Sequence, residues 1–179
     1  MRTTVEVICV VILLILSVNI SFAVKDYLYI VRFDKGEMFT DFDPQKVEVS
    51  LSKEYVKDGK ISLKINYKDK AFVGEWKPMR AFWTGYSKIN FFIYNDSNEE
   101  RELIFRIKGA RQPSKSPENT FETTLKLLPG YNEYSIDLTK AICNDGKSLL
   151  DLNGVYVYSF ENKVEKPLTI YLSGFKLVK

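Results

Sequence analysis

From Lys60 onward, apolar and polar residues trade places one by one. Ile61, Leu63, Ile65 and Tyr67 fall on one side of an extended chain, and Ser62, Lys64 and Asn66 fall on the other. A period of two belongs to a β-strand buried on one face, because successive side chains of a strand point to opposite faces of its sheet. The pattern returns at Leu103-Ile-Phe-Arg-Ile-Lys108, at Val155-Tyr-Val-Tyr158 and at Leu168-Thr-Ile-Tyr-Leu-Ser173. Ile89 to Tyr94 is apolar at nearly every position, which predicts a strand covered or contacted on both faces. Strands are expected at 26–33, 46–53, 60–68, 87–95, 101–109, 120–128, 132–137, 154–160 and 168–178. Between them lie turn signals: Lys57-Asp-Gly-Lys60, read as a tight hairpin turn, then Asn95-Asp-Ser-Asn98, Pro129-Gly130, Asp145-Gly146 and Asn153-Gly154. Asp137–Ile142 and Lys147–Leu152 have room for about a turn of helix each. Short strands with turns at this spacing predict an all-β fold, a two-sheet antiparallel β-sandwich of jelly-roll type. No repeat, linker or low-complexity tract interrupts it, so residues 24–179 read as a single domain.

Residues 1–23 read as a signal peptide. Arg2 supplies a positive start, Val7 to Val18 an apolar stretch with only Ser17 polar, and Ser21 and Ala23 the small residues of a cleavage site. As a helix that stretch would be roughly 18 Å long, short of a hydrocarbon core of roughly 30 Å. The mature chain is therefore expected to be secreted or extracytoplasmic, in a periplasm or at a cell surface, with no membrane span.

The chain has no histidine. That excludes Ser-His-Asp and Cys-His nucleophile systems and every zinc site that needs imidazole. Cys9 lies in the leader, and the one mature thiol, Cys143, has no partner for an intramolecular disulfide, so it reads as a small buried residue. Basic and acidic side chains alternate, as where Asp58 and Asp69 interrupt the lysines of 57–70, so no basic run points to nucleic acid.

One order of motifs carries a family likeness: Phe33-Asp-Lys-Gly36; Asp58-Gly-Lys-Ile-Ser-Leu-Lys-Ile65; Trp83-Thr-Gly-Tyr86 leading into Ile89-Asn-Phe-Phe-Ile-Tyr-Asn95; Leu127-Leu-Pro-Gly-Tyr-Asn132 with Tyr134-Ser-Ile-Asp-Leu138; and Ile170-Tyr-Leu-Ser-Gly-Phe-Lys-Leu177. Over nearly the whole mature chain this resembles the galactose-binding-like jelly rolls, and within them bacterial carbohydrate-binding modules. The resemblance implies a non-catalytic protein whose partner is a polysaccharide or other glycan, held on a concave sheet face. It also implies, as the one cofactor, a structural calcium ion near the chain start, where Asp34 and Glu37 are the oxygen ligands on offer. Calcium takes 6–8 oxygens, and Ser173 stands where the family often carries a third acidic ligand.

Sugar rings present flat C–H faces that pack on aromatic rings, and hydroxyls that need directional partners. On the noncore parity of the central strands, Asn66, Phe92, Tyr94, Arg106, Lys108, Tyr156 and Tyr158 supply both, and they are the expected ligand-binding residues. The same side chains also suit an outer face that merely covers a sheet with long stems. The rival reading is a structural or protein-interaction sandwich of the cell envelope. Trp76 and Trp83 fall in a segment, 72–86, read as loop; Trp83 is expected in the core, and Trp76 suits a stacking platform or the core alike. Glu75, between Gly74 and Trp76, is the carboxylate with the least ordinary setting, and reads as a solvated loop acid. Arg111-Gln-Pro-Ser-Lys-Ser-Pro117 reads as a hairpin connection, and Asn95-Asp-Ser97 matches a glycosylation acceptor.

Overall fold

The computed structural model describes residues 26–109 and 117–179. The expectations for the leader, and for the loop that carries Arg111, lie outside these residues. Two antiparallel sheets face one another. One follows the order β3 (Val47–Ser52), β4 (Ser62–Tyr67), β11 (Leu168–Val178), β6 (Lys88–Asn95), β9 (Gly130–Asp137), with β1 (Tyr27–Tyr29) against β11. The other follows β2 (Asp41–Phe42), β5 (Ala71–Trp76), β10 (Val155–Asn162), β7 (Arg101–Gly109), β8 (Thr120–Leu127). The expected all-β sandwich is the fold, and eight of the expected strands match within a few residues; the first, read over 26–33, is confined to Tyr27–Tyr29.

The alternation becomes burial. In β4, Leu63, Ile65 and Tyr67 are buried, and in β7, Leu103, Phe105 and Ile107 are buried. Between the sheets, Phe91 packs against Phe105, Phe160 and Phe175 at centroid distances of 5.5, 5.5 and 5.7 Å. These edge-to-face and tilted contacts suit the quadrupoles of the rings. Trp83 is fully buried and donates its indole N–H to the Arg80 carbonyl at 2.7 Å, so its expected core place holds. Cys143 is buried as well.

Three departures follow from local backbone geometry. First, 71–76 is a strand rather than part of a loop, and Gly74 in it answers a steric demand. A Cβ there would lie 2.1 Å from the Tyr158 carbonyl oxygen, so only glycine lets β5 approach β10. Second, the Asp58-Gly59 turn does not close a tight hairpin. β3 ends at Ser52 and β4 begins at Ser62, and the intervening segment folds across the outer face of its sheet. Third, β10 carries a bulge between Val155 and Val157. A bulge inserts one residue and shifts every later side chain to the opposite face. Beyond it Tyr158 and Phe160 point into the core, where parity counted from Val155 places Val157. Of the two segments with room for helix, 138–140 forms a single 3-10 turn, capped by Asp137 accepting from the Thr139 N–H, and 147–152 forms none.

Candidate functional site

The bulge divides the expected ligand-binding set. Asn66, Phe92 and Tyr94 lie on the outer face of the sheet built on β11, while Arg106, Lys108 and Tyr156 lie on the outer face of the other sheet. Tyr158 lies on neither: it is 1% exposed, with its ring against Trp83, Phe39 and Phe175. Seven residues read as one surface are therefore two opposite faces and a core ring.

On the β11 sheet, the register sets Tyr171, Tyr94 and Tyr131 in one row. The segment between β3 and β4 lies over that row. Tyr55, held at φ 49°, stacks on Tyr94 with centroids 3.7 Å apart and rings 8° from parallel. The Tyr171 hydroxyl donates to Glu54 at 3.1 Å, and the Lys57 N–H donates to the Ser173 hydroxyl at 3.2 Å. Lys64 stands 5.3 Å from the Tyr171 centroid and Lys57 stands 5.6 Å from that of Tyr131. Asn66 is taken up by Glu48 and Thr169. The aromatic surface here is largely spent on its own neighbours. This accounts for the double coverage expected of 89–94.

The other face is arranged differently. Core-facing Val73 turns Phe72, Gly74 and Trp76 outward, with Phe72 43% and Trp76 55% exposed. Tyr156 stands edge-on to Trp76 at 5.3 Å. Two strands away, Arg106 lies between two carboxylates: Nε donates to Glu122, and Nη2 donates to Glu161 at 3.0 Å. All three side chains are about a quarter exposed, and among the described residues Arg106 Nη1 has no partner. A guanidinium fixed in this way offers a directed donor beside carboxylates that accept, the complement of a row of sugar hydroxyls. The register lines Arg106 up through Ser159 with Gly74, and Trp76 up through Val157 with Lys108, about 10 Å away by two strand spacings. Lys108 extends the row next to Arg106. Glu122, Glu161 and Phe72 are the residues that sequence reasoning missed. The two glutamates each follow an inward aromatic, Phe121 and Phe160, so parity alone marks them as outward, but only the register shows that both meet Arg106.

Asp34 and Glu37, the expected calcium ligands, line two different cavities. Both Glu37 oxygens accept from Arg80, at 2.7 and 2.8 Å, and Arg32 adds its backbone N–H at 2.7 Å. Arg80 also donates to the Ile30 carbonyl at 2.9 Å. The guanidinium thus engages both Glu37 oxygens, and its hydrogen bonds hold the Glu37 carboxyl down to about 2 from 4.5. Among the described residues no group of three or more acidic or cysteine side chains is gathered for a metal. Asp34 lines a different cavity, of about 410 Å³, with Asp58; Asp58 accepts from Tyr29 at 3.1 Å and from Lys176 at 2.5 Å. Asn95, the acceptor of the glycosylation motif, is 1% exposed, with its amide donating to the Glu99 and Leu127 carbonyls.

No family model matches this sequence. No curated protein matches it either. Solved structures do share its fold. A family 11 carbohydrate-binding module from Clostridium thermocellum, in complex with a β-1,3-1,4-mixed-linked tetrasaccharide, is 14% identical over 74% of this chain and 83% of its own, with a TM-score of 0.57. The family 30 carbohydrate-binding module of the cellulosomal cellulase Cel9D-Cel44B of Clostridium thermocellum is 12% identical over 79% of this chain and 90% of its own, with a TM-score of 0.56. An agarase, AgWH50C, is 14% identical over 87% of this chain but 25% of its own, with a TM-score of 0.60. At these identities the likeness establishes a shared jelly-roll fold, and this chain spans about a quarter of the agarase.

Proposed function

We propose that this protein is a non-catalytic glycan-binding module, secreted or held at a cell surface, that receives a polysaccharide across the outer face of the β2-β5-β10-β7-β8 sheet. One observation carries the reading: Arg106, fixed by Glu122 and Glu161, stands on the same open face as the exposed rings of Trp76 and Phe72. The rings offer apolar area to sugar C–H faces, and the charged group offers donors and acceptors whose orientation is set before the ligand arrives. The β-1,3-1,4-mixed-linked tetrasaccharide with which one solved module of this fold is in complex supports the ligand class. The leader pattern of residues 1–23 supports the extracytoplasmic location.

The test is affinity electrophoresis through gels cast with mixed-linkage β-glucan, agarose or other polysaccharides. Trp76→Ala and Arg106→Ala should each weaken retention about tenfold or more, while Tyr94→Ala on the opposite face leaves it unchanged. The reading fails if Tyr94→Ala abolishes retention while Trp76→Ala and Arg106→Ala are retained like the parent. It also fails if no polysaccharide retards the parent protein. In that outcome the envelope-interaction reading takes over, and the exposed apolar side chains of Met79 and Phe82, 88% and 78% exposed, are where a partner would sit.

A further inference from the structure

A cleft of about 370 Å³ opens at the edge of the sandwich, away from both sheet faces. Its walls come from the segment after β1, from the end of β5 and from the 79–80 turn, and they include Met38, Phe39, Glu75, Met79, Arg80 and Tyr158. Three observations make it more than a surface dip.

The first is Tyr158. Its ring is packed in the core, yet its hydroxyl end lies within electrostatic reach of Glu75, Arg80 and Glu37. Among the described residues that hydroxyl makes no hydrogen bond, and it is not one of the sealed, unsatisfied polar atoms. A buried phenol generally finds a partner. Here the cleft is where a partner would come from.

The second is charge. Glu37 is held by two guanidiniums, Arg80 through two hydrogen bonds and Arg32 through a third. Glu75 is left over: its Oε2 accepts from the Thr40 N–H and hydroxyl, both at 3.1 Å, while Oε1 has no partner among the described residues. The groups still open to a ligand are thus a carboxylate oxygen and a phenol. The third is the apolar flank, where Met38 is 41% and Met79 88% exposed, two flexible thioether chains at the mouth.

We propose that this cleft is a second binding site, for an ammonium group carried on a small six-membered ring, as in a terminal amino sugar. The ammonium donates to Glu75 Oε1, a ring substituent meets the Tyr158 hydroxyl, and the two methionines close over the ring. Glu37, kept ionised by Arg80, has no proton to give a ligand.

The chain provides its own probe. It has three methionines, Met1, Met38 and Met79, and two of them flank the cleft. Protein labelled with ¹³C at the methionine methyls is titrated with glucosamine, cyclohexylamine and glucose. Glucosamine should shift the Met38 and Met79 methyls in a saturating manner, with a dissociation constant on the order of 1 mM, as expected for a ligand of this size. Glucose should shift neither. Cyclohexylamine separates the sources of the ammonium: if it matches glucosamine, the site reads a ring amine, and if it is weaker, the sugar hydroxyls contribute. Glu75→Gln, nearly isosteric, should weaken glucosamine at least tenfold. Tyr158→Phe removes an oxygen with no protein partner, so it should weaken binding while leaving the melting temperature unchanged. Arg106→Ala, on the sheet face, should leave these shifts intact, so the two sites succeed or fail separately. Glucose binding as well as glucosamine, an unaffected Glu75→Gln, or no methyl shift with either amine up to tens of millimolar would overturn the assignment.

Discussion

Replacing Glu37 by Gln tests whether a guanidinium, rather than a metal, ties down the chain start. Arg80 takes both carboxylate oxygens and also holds the Ile30 carbonyl, so it joins the 79–86 turn to the segment after β1. Holding the Glu37 carboxyl at about 2 instead of 4.5 corresponds to about 3 kcal/mol if fully realised, at about 1.4 kcal/mol per pH unit. A quarter of the Glu37 side chain is exposed, and solvent screening brings the expected contribution to about 1–2 kcal/mol. The sign follows from the depressed value. The stabilisation is fully present above the unfolded value of 4.5, and it is lost as pH falls through about 2. At pH 7, Glu37→Gln should therefore melt about 2–8 °C below the parent, given about 2–4 °C per kcal/mol for a chain of this size. Between pH 4.5 and 2 the gap should shrink to a few tenths of a kcal/mol. Urea titrations and thermal melts followed by near-ultraviolet circular dichroism, run on both proteins at pH 7, 5, 3 and 2, measure it. A gap that stays constant down to pH 2, or that is absent at pH 7, refutes the reasoning. So does a calcium-dependent rise in the parent's melting temperature that Glu37→Gln removes, because the ion would then be using oxygens assigned to Arg80.

Gly74→Ala should lower stability by about 2–3 kcal/mol, since the new methyl meets the Tyr158 carbonyl rather than a side chain that could swing away; a melting temperature within 1 °C of the parent would contradict this. Asn95→Ala strips the donors from the Glu99 and Leu127 carbonyls and should cost about 1–3 kcal/mol in urea unfolding, whereas a solvated loop asparagine would cost nothing measurable. Phe91→Ala opens a cavity among three other buried phenylalanines and should cost about 3–5 kcal/mol; a loss below 1 kcal/mol would mean the two sheets do not meet there as described.

The likeness between sequence and structure is uneven for reasons that particular residues show. β4, β6, β7 and β11 were legible because each repeats its apolar member several times with few interruptions. β5 was not, because Gly74 removes a side chain from a six-residue run and Glu75 sits at a core-parity position next to Trp76. The candidate site was half legible. Arg106, Lys108 and Tyr156 do stand on an open face, and Trp76 was recognised as able to stack. Tyr158 was misplaced because a bulge leaves no mark in a count of twos. Nor does alternation say which sheet a strand joins, so Tyr94 and Arg106, alike in parity, lie on opposite surfaces. The Glu37 carboxylate looked available to a cation, and it was; the cation is Arg80, 43 residues along the chain.

What the sequence determined by itself was the extended backbone and the inward half of most strands, because a two-residue period and the removal of apolar area from water are local demands that each segment states alone. What only the tertiary structure decided was pairing and register: which strands lie side by side, where one extra residue reverses a face, and which charges separated by tens of residues come within hydrogen-bond reach. Those depend on contacts between distant segments, and no segment carries them within itself.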